Sequence, residues 1–298
     1  MTSASGRSGT APEVLLVNGE ALGQGSVPGG AGGVSVLDRG LHFGDGLFET
    51  IACRHGRARF LSLHLERLAS GCERLKIPLG DVDALRREIQ GVASGADAAL
   101  IKLIITRGEA VARGYGWSGS EVATRIVLRY ASPPEDGAAH RDGVRVQTAS
   151  IRLGENTALA GMKHLNRLEQ VLARSAVPAE DAAELLMFSS SGRLVSGTMS
   201  NVFIVQEGRL ATPRIDMCGV AGVMRRVVLR EAAKAGVVAQ ECALSADDLN
   251  DATEVFLTNA RIGIWPVRVL DGRMLGPGST TRQLQNLIAP LLESAPDA

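Results

Sequence analysis

The stretch that most constrains the fold of this chain is the segment 161–172, which combines a lysine with regularly spaced apolar residues. It reads Gly-Met-Lys-His-Leu-Asn-Arg-Leu-Glu-Gln-Val-Leu, and its apolar side chains recur at Leu165, Leu168, Val171 and Leu172. This spacing predicts a helix that begins near Lys163 and packs its apolar face inward. The side chains expected to stay in solvent are those of Arg167, Glu169, Gln170 and Arg174.

Lys163 is the candidate chemical group of this segment. An amine held against an apolar layer loses solvation, which lowers its pKa and makes it a nucleophile able to form a Schiff base. An ordinary surface lysine, with its stem lying along a helix end, is the alternative. The residues of the segment alone leave both interpretations open.

Composition excludes several function classes. The chain has 298 residues, and 32 Lys and Arg balance 32 Asp and Glu, so no basic face for nucleic acid is expected. No apolar run reaches the ~18 to 20 residues of a membrane span. Four cysteines without a C-x-x-C pair predict neither a metal site nor a disulfide framework, and reduced thiols favour a cytoplasmic protein.

Turn-forming residues divide the chain. Residues 1–12 are small and polar and predict a disordered tail. The segment Ser-Pro-Pro-Glu-Asp-Gly at 132–137 predicts a linker between one domain at 13–131 and another at 138–298. The glycine-rich stretch 23–33 predicts a loop.

Three further motifs accompany the lysine segment, and together they carry a resemblance. Residues 38–50 read Asp-Arg-Gly-Leu-His-Phe-Gly-Asp-Gly-Leu-Phe-Glu-Thr, residues 200–203 read Ser-Asn-Val-Phe, and an Arg-Gly is followed by Arg-Gly-Tyr at 107–115. With Gly-Met-Lys-His-Leu-Asn-Arg-Leu-Glu, this series is similar to that of the aminodeoxychorismate lyases. These are pyridoxal-phosphate enzymes of fold type IV, a group that also holds branched-chain and D-amino-acid aminotransferases. The resemblance runs from about Leu15 to Leu291.

The resemblance implies a two-domain α/β (α+β) fold with pyridoxal 5'-phosphate (PLP) at the domain interface, and a homodimer. It implies that Lys163 carries the cofactor and that 4-amino-4-deoxychorismate is converted to 4-aminobenzoate and pyruvate, a step of folate biosynthesis. The Arg-Gly-Tyr pattern resembles the lyases more than the aminotransferases. An aminotransferase for branched-chain or D-amino acids is the alternative, and a cofactor-free binding protein of the same fold is a third.

The resemblance also assigns roles to particular residues. The residues expected to contact the cofactor are Lys163, Arg67, Ser196, Asn201, Gly222, Val223, Met224, Asn259 and Ala260. The residues expected to contact substrate are His42, Arg107 and Arg113, and Thr50 is expected to relay a proton. A glycine turn that opens a helix presents free N–H groups, which suits a phosphate at 222–224. From the residues alone, Arg67 could equally form a salt bridge and Thr50 could pack by its methyl group.

Ser196 departs from the family pattern. Five residues before Asn201, most relatives have a glutamate that faces the pyridine nitrogen. A carboxylate keeps that nitrogen protonated, whereas a hydroxyl does not. The hypothesis is that transamination suffers from this change, while an elimination driven by aromatisation tolerates it. The alternative is that the position is matched wrongly, or that another residue takes over the role of the glutamate.

Overall fold

The computed structural model describes residues 11–22, 33–110, 113–133, 136–178 and 180–294. The predicted tail at 1–12 and the predicted loop at 23–33 lie almost wholly outside these residues, as do two residues of the predicted linker. The chain forms two compact units. The first contains the described residues up to Pro133 together with Lys163–Leu165, and the second contains the remainder up to Glu293.

The first unit is a six-stranded antiparallel sheet with three helices. Its elements in chain order are β1 (Val14–Val17), β2 (Glu20–Ala21), α1 (Arg39–Phe43), β3 (Gly46–Arg54), β4 (Arg57–Ala58), α2 (Leu61–Leu75), α3 (Val82–Ser94), β5 (Ala98–Thr106) and β6 (Thr124–Ala131). The strands follow the order β2-β1-β6-β5-β3-β4 across the sheet. Asn18 and Gly19, at φ 53° and 90°, form the β1–β2 turn that their sequence predicts.

Helix α2 packs its apolar face on β3. Leu61, Leu65 and Leu68 are almost completely buried. Gly71 permits close packing, because a Cβ at this position would lie 2.7 Å from Leu47 Cδ1. The sequence predicts the end of this helix before Pro78 correctly, but the helix begins at Leu61, earlier than the expected start at His64. Strand β3 is therefore held by α2 on one face and by pairing with β5 along its edge.

The second unit is built on a nine-stranded mixed sheet. Its elements are α4 (Gly137–Asp142), β7 (Val144–Leu153), α5 (Leu168–Ser175), β8 (Glu184–Ser189), β9 (Leu194–Gly197), β10 (Asn201–Gln206), β11 (Arg209–Pro213), α6 (Val223–Lys234), β12 (Ala239–Cys242), α7 (Ala246–Asp251), β13 (Glu254–Asn259), β14 (Gly263–Leu270), β15 (Arg273–Met274) and α8 (Ser279–Ser294). The strand order is β12-β11-β10-β13-β14-β7-β8-β9, with β15 on β14. Phe203 and Phe256 stack in its core with ring centroids 4.9 Å apart. Within the described parts of both units, no helix is long and apolar enough to cross a membrane.

The hairpin at the turn 190–193 differs from its prediction. The sequence suggests that β8 and β10 flank this turn, but β8 pairs with β9, and β10 pairs with β11 and β13. The chain turns between Gly197 and Asn201 because the buried carboxylate of Glu184 accepts hydrogen bonds from the N–H groups of Thr198 and Met199. This tertiary contact is invisible to a local pattern.

The apolar face of helix α5 points outward, whereas the sequence predicts that it packs inward. Leu168, Val171 and Leu172 are 75%, 57% and 56% exposed, while Ala173 is buried. Glu169 contributes to the buried side, since its carboxylate accepts the N–H of Gly154. The prediction of an inward apolar face is therefore wrong within the single chain, and an apolar surface remains on the outside.

Candidate active site

The lysine segment lies beside strand β3 rather than at a helix start. The N–H of Phe48 donates to the carbonyl of Lys163 at 2.9 Å, and the N–H of Leu165 donates to Gly46 O at 3.0 Å. The predicted helix begins only at Leu168. These two hydrogen bonds extend the sheet locally and fix the backbone of Lys163 within the first unit.

The Lys163 amine lies over an aromatic ring. Its Nζ is 4.3 Å from the centroid of Phe48, and Nζ of Lys102 is 5.6 Å from the same centroid. Thr50 is on the same face of β3, since side chains alternate along a strand, and it lies directly opposite Lys102 on β5. Phe48, Thr50 and Lys102 therefore share one face of the sheet, and the Lys163 amine lies over the Phe48 ring. Lys102 has no role in the predictions made from the sequence.

On the other face of β3, Glu49 is buried with two partners. Its carboxylate accepts hydrogen bonds from Nε and Nη2 of Arg67 and lies 2.6 Å from Nδ1 of His64. Burial alone would raise the pKa of Glu49, but the charge of Arg67 and the hydrogen bond from His64 outweigh it and lower this pKa to about 2. Glu49 is therefore an anion that orients the Arg67 guanidinium.

One ring nitrogen of His64 is buried without a hydrogen-bond partner in the described part of the chain. Its Nε2 is buried and has no hydrogen-bond partner among the described residues. Burial lowers the pKa of His64 and only part of this effect is offset by Glu49, while the charges of Arg67 and Lys163 lower it further. With Nδ1–H of a neutral His64 donated to Glu49, the buried Nε2 is a hydrogen-bond acceptor and suits a donor group. The Arg67 guanidinium is the group of this cluster that suits a phosphate such as that of PLP.

Arg107, an expected substrate contact, is tied into the first unit. Its guanidinium donates to Asp45 and to the carbonyls of Leu75 and Lys76, and it stacks 4.5 Å from the ring centroid of Trp117. Asp45 also accepts a hydrogen bond from Nε of Arg39 at 2.9 Å. Substrate binding by Arg107 stays a prediction, and the contacts seen are those of a side chain that holds a loop.

The other two expected substrate contacts are on the surface of the first unit. His42 is exposed on α1, with its Nε2 2.8 Å from the carbonyl of Val36. Arg113 is exposed in the loop between β5 and β6. Among the described residues, neither side chain contacts the ring of Phe48 that Lys163 and Lys102 approach.

In the second unit, the expected cofactor residues form a connected set. Ser196 is 8% exposed and donates its hydroxyl to Gly197 O at 2.8 Å. Asn201 donates its side-chain amide to Val220 O at 2.9 Å. Asn259 donates to Met199 O at 3.1 Å and accepts the N–H groups of the two residues after Ala260. The bond from Asn259 to Met199 holds the turn that separates Ser196 from Asn201, and the bond from Asn201 holds the segment before α6.

The N-terminus of α6 has the properties of a phosphate site. Gly222 is the N-cap residue, so no side chain caps the first N–H groups, which belong to Val223 and Met224. A Cβ on Gly222 would lie 1.9 Å from Asn201 Oδ1. Asn201 can therefore approach the start of α6 this closely only because residue 222 is glycine. A helix N-terminus without a side-chain cap attracts anions.

Replacing Gly222 with alanine is expected to destabilise the protein by about 1–3 kcal/mol, because the added Cβ displaces the Asn201 amide. Chemical denaturation followed by circular dichroism measures this. Gly91→Ala in α3 is the matched control: nothing lies within 4 Å of its Cβ position, so alanine should stabilise by roughly 0.5–1 kcal/mol. Equal effects of the two variants would contradict the proposed steric role of Gly222.

The sequence of this chain matches a known protein family. The model of the amino-transferase class IV family matches residues 46–270, which is most of the chain. The chain belongs to this family. The class IV enzymes depend on PLP. The matched segment includes Arg67, Lys163, Asn201 and the N-terminus of α6.

Individual relatives include lyases and aminotransferases of class IV. An aminodeoxychorismate lyase of Vibrio harveyi is 33% identical over 85% of this chain and 94% of its own. The crystal structure of 4-amino-4-deoxychorismate lyase from Pseudomonas aeruginosa has 41% identity and a TM-score of 0.85, and covers 94% of this chain and 99% of that one. A putative branched-chain-amino-acid aminotransferase of Methanocaldococcus jannaschii is 32% identical over 85% of this chain and 88% of its own. The fold is that of the fold type IV enzymes.

Glu49 and Arg39 are functional candidates of this class IV chain that sequence reasoning left without a role. One signal was available for Glu49: a charged residue at the centre of a strand with buried neighbours needs a charged partner. For Arg39 the motif contains one partner, Asp45, but the three carbonyls that its guanidinium binds lie 75 to 77 residues along the chain and give no local signal.

Proposed function

We propose that this protein is a PLP-dependent lyase that converts 4-amino-4-deoxychorismate to 4-aminobenzoate and pyruvate. The observation that supports this most is the placement of Lys163, whose amine lies 4.3 Å from the Phe48 ring on the face of β3 that also carries Thr50. The similarity to two lyases over nearly the whole chain agrees with it.

In the first unit, the proposed cofactor residues are Lys163, the covalent attachment point, and Arg67, whose guanidinium suits the phosphate. In the second unit, they are the N-terminus of α6, which also suits a phosphate, together with Ser196, Asn201 and Asn259. When bound, PLP withdraws electrons from the carbon that carries the substrate amino group, so that its proton becomes acidic. The chain supplies the groups that receive and deliver this proton.

Lys163 removes the proton from C4 of the substrate, since its amine, which lies over the Phe48 ring, is the candidate base of this group. The bond from C3 to the enolpyruvyl oxygen then breaks, and the ring becomes aromatic. Thr50 relays the proton that Lys163 took from C4 to the departing enolpyruvate, which becomes pyruvate. Arg113, with its permanent charge, binds a substrate carboxylate.

Product analysis tests this proposal. Purified protein with PLP and 4-amino-4-deoxychorismate is expected to release 4-aminobenzoate and pyruvate in equal amounts. Transfer of an amino group to 2-oxoglutarate, without 4-aminobenzoate, would instead support a class IV aminotransferase for branched-chain or D-amino acids.

Ser196 gives a second test of the lyase assignment. Ser196→Glu introduces a carboxylate at a buried position, which should raise the ratio of amino transfer to lyase turnover by about tenfold and change the absorbance of bound PLP. Ser196→Gln has the same size without the charge and should leave that ratio unchanged. Identical spectra and product ratios in the wild type and in Ser196→Glu would refute the link between Ser196 and reaction choice.

We infer a homodimer and a cytoplasmic location. The four cysteines are free, which suits a reducing compartment. The apolar face of α5, formed by Leu168, Val171 and Leu172, is an exposed patch of the kind that is covered by a partner.

Double replacement of Leu168 and Leu172 by arginine is expected to convert the dimer to a monomer, because two buried charges cannot be paired across a symmetric apolar contact. Light scattering coupled to size exclusion measures the change in mass. Val238→Arg is the control, since Val238 is 70% exposed and lies outside this face. A dimer that survives the double replacement would show that α5 is not the interface.

A further inference from the structure

Arg39 makes an unusual set of contacts for a residue of the first motif. It is 3% exposed at the start of α1. Its Nη1 donates to the carbonyls of Gly114 and Gly116 at 3.2 and 3.1 Å, and its Nη2 donates to Tyr115 O at 2.8 Å. One guanidinium thus holds three consecutive carbonyls of the β5–β6 loop.

The Arg39 guanidinium is itself fixed from two further directions. Its Nε donates to Asp45, which also accepts two N–H groups of Arg107. The Phe43 ring lies 5.0 Å from its central carbon and 5.3 Å from the Tyr115 ring. A planar fork held in this way has little freedom, and neither does the loop backbone that it binds.

The loop that Arg39 holds is otherwise exposed. Residues 113–120 are open to solvent, and Gly114 has φ +97°, a conformation that only glycine adopts easily. Arg113 directly precedes the first carbonyl that Arg39 binds. The direction in which the Arg113 side chain leaves the loop therefore depends on the anchor at Gly114, Tyr115 and Gly116.

We propose that Arg39 is a positioning residue that fixes the 114–116 loop so that Arg113 meets a carboxylate of the substrate. This inference rests on the proposed lyase function. Lysine at position 39 keeps the charge next to Asp45, but a single ammonium cannot bond to three carbonyls and a carboxylate at once. The loop then loses its anchor while the group around Lys163 stays intact.

A double-mutant cycle tests the proposal with the PLP-loaded enzyme. Arg39→Lys and Arg113→Gln are each expected to raise KM for 4-amino-4-deoxychorismate roughly 10- to 100-fold, the cost of one charge-assisted hydrogen bond, with kcat changed less than about threefold. The double variant should be no worse than Arg113→Gln alone, because both changes act through the same contact. Arg87→Lys, at a side chain 71% exposed, is the control and should leave KM unchanged.

Hydrogen exchange gives a readout that needs no substrate. Amides of residues 113–117 should exchange at least about tenfold faster in Arg39→Lys than in the wild type, and those of β3 should not. The proposal is overturned if Arg39→Lys leaves either KM or the exchange of residues 113–117 unchanged. It is also overturned if the factor by which the double variant raises KM equals the product of the factors of the two single variants. If the wild type releases no 4-aminobenzoate, the proposed lyase function is wrong. The hydrogen-exchange rates of residues 113–117 still test whether Arg39 holds the loop.

Discussion

Lys163→Ala is expected to lower the rate of 4-aminobenzoate formation by at least about a thousandfold, because the variant loses both the covalent attachment point of PLP and the base that removes the substrate proton. Lys102, whose Nζ lies 5.6 Å from the Phe48 ring centroid against 4.3 Å for Lys163, is not expected to replace the lost amine. A coupled assay of 4-aminobenzoate and pyruvate measures it.

Lys234→Ala is the control for that experiment. Lys234 is 63% exposed near the end of α6 and pairs with Glu231, so its loss should change the rate less than twofold. Lys163→Ala with more than a tenth of the wild-type rate would contradict the role of Lys163.

Asp45→Asn is expected to destabilise the protein by about 2–3 kcal/mol and to lower its melting temperature by roughly 5–10 °C. The side chains of Arg39 and Arg107 are each only 4% exposed, and both donate to the Asp45 carboxylate. Without the negative charge, two buried guanidinium groups face each other uncompensated. Differential scanning calorimetry measures the shift.

The effect of Asp45→Asn should depend on pH in a defined direction. Burial alone would raise the pKa of Asp45, but the hydrogen bonds and charges of Arg107 and Arg39 outweigh it, so that its pKa lies below the ordinary 3.8. A lowered folded-state pKa gives stabilisation that is complete above the unfolded value and is lost as pH falls through the folded one. The difference between wild type and Asp45→Asn should therefore be constant at neutral pH and shrink below about pH 4.

Asp97→Asn is the surface counterpart of this variant. Asp97 is 75% exposed and pairs with His55, so removing its charge should change stability by less than about 0.5 kcal/mol. A similar loss in both variants would show that burial of the arginines is not the cause.

Local patterns in the sequence predict most strands and helices well. The sequence predicts a helix at Val82–Ala93, an N-cap at Ser245 and a strand at Glu254–Thr258, and the structure has α3, the N-cap of α7 and β13 at these positions. Helix α5 shows where this reasoning fails. Periodicity reveals that a helix has an apolar face, but not whether this face meets the same chain or another one.

Some residues of the candidate site can be predicted from the sequence and others cannot. Lys163 and the glycine turn before α6 are found from the sequence because a contiguous motif carries each. The Glu49–His64–Arg67 cluster and the anchor at Arg39 join residues that are 15 to 77 positions apart. Such pairings are set by strand register and helix packing, which no single segment encodes.

Reduction with borohydride followed by peptide mass spectrometry tests the central claim most directly. The purified protein, loaded with PLP and reduced, is expected to carry one pyridoxyl-phosphate group, on the side chain of Lys163. A modified peptide that contains Lys102 instead, or a chain that remains unmodified, would contradict the account.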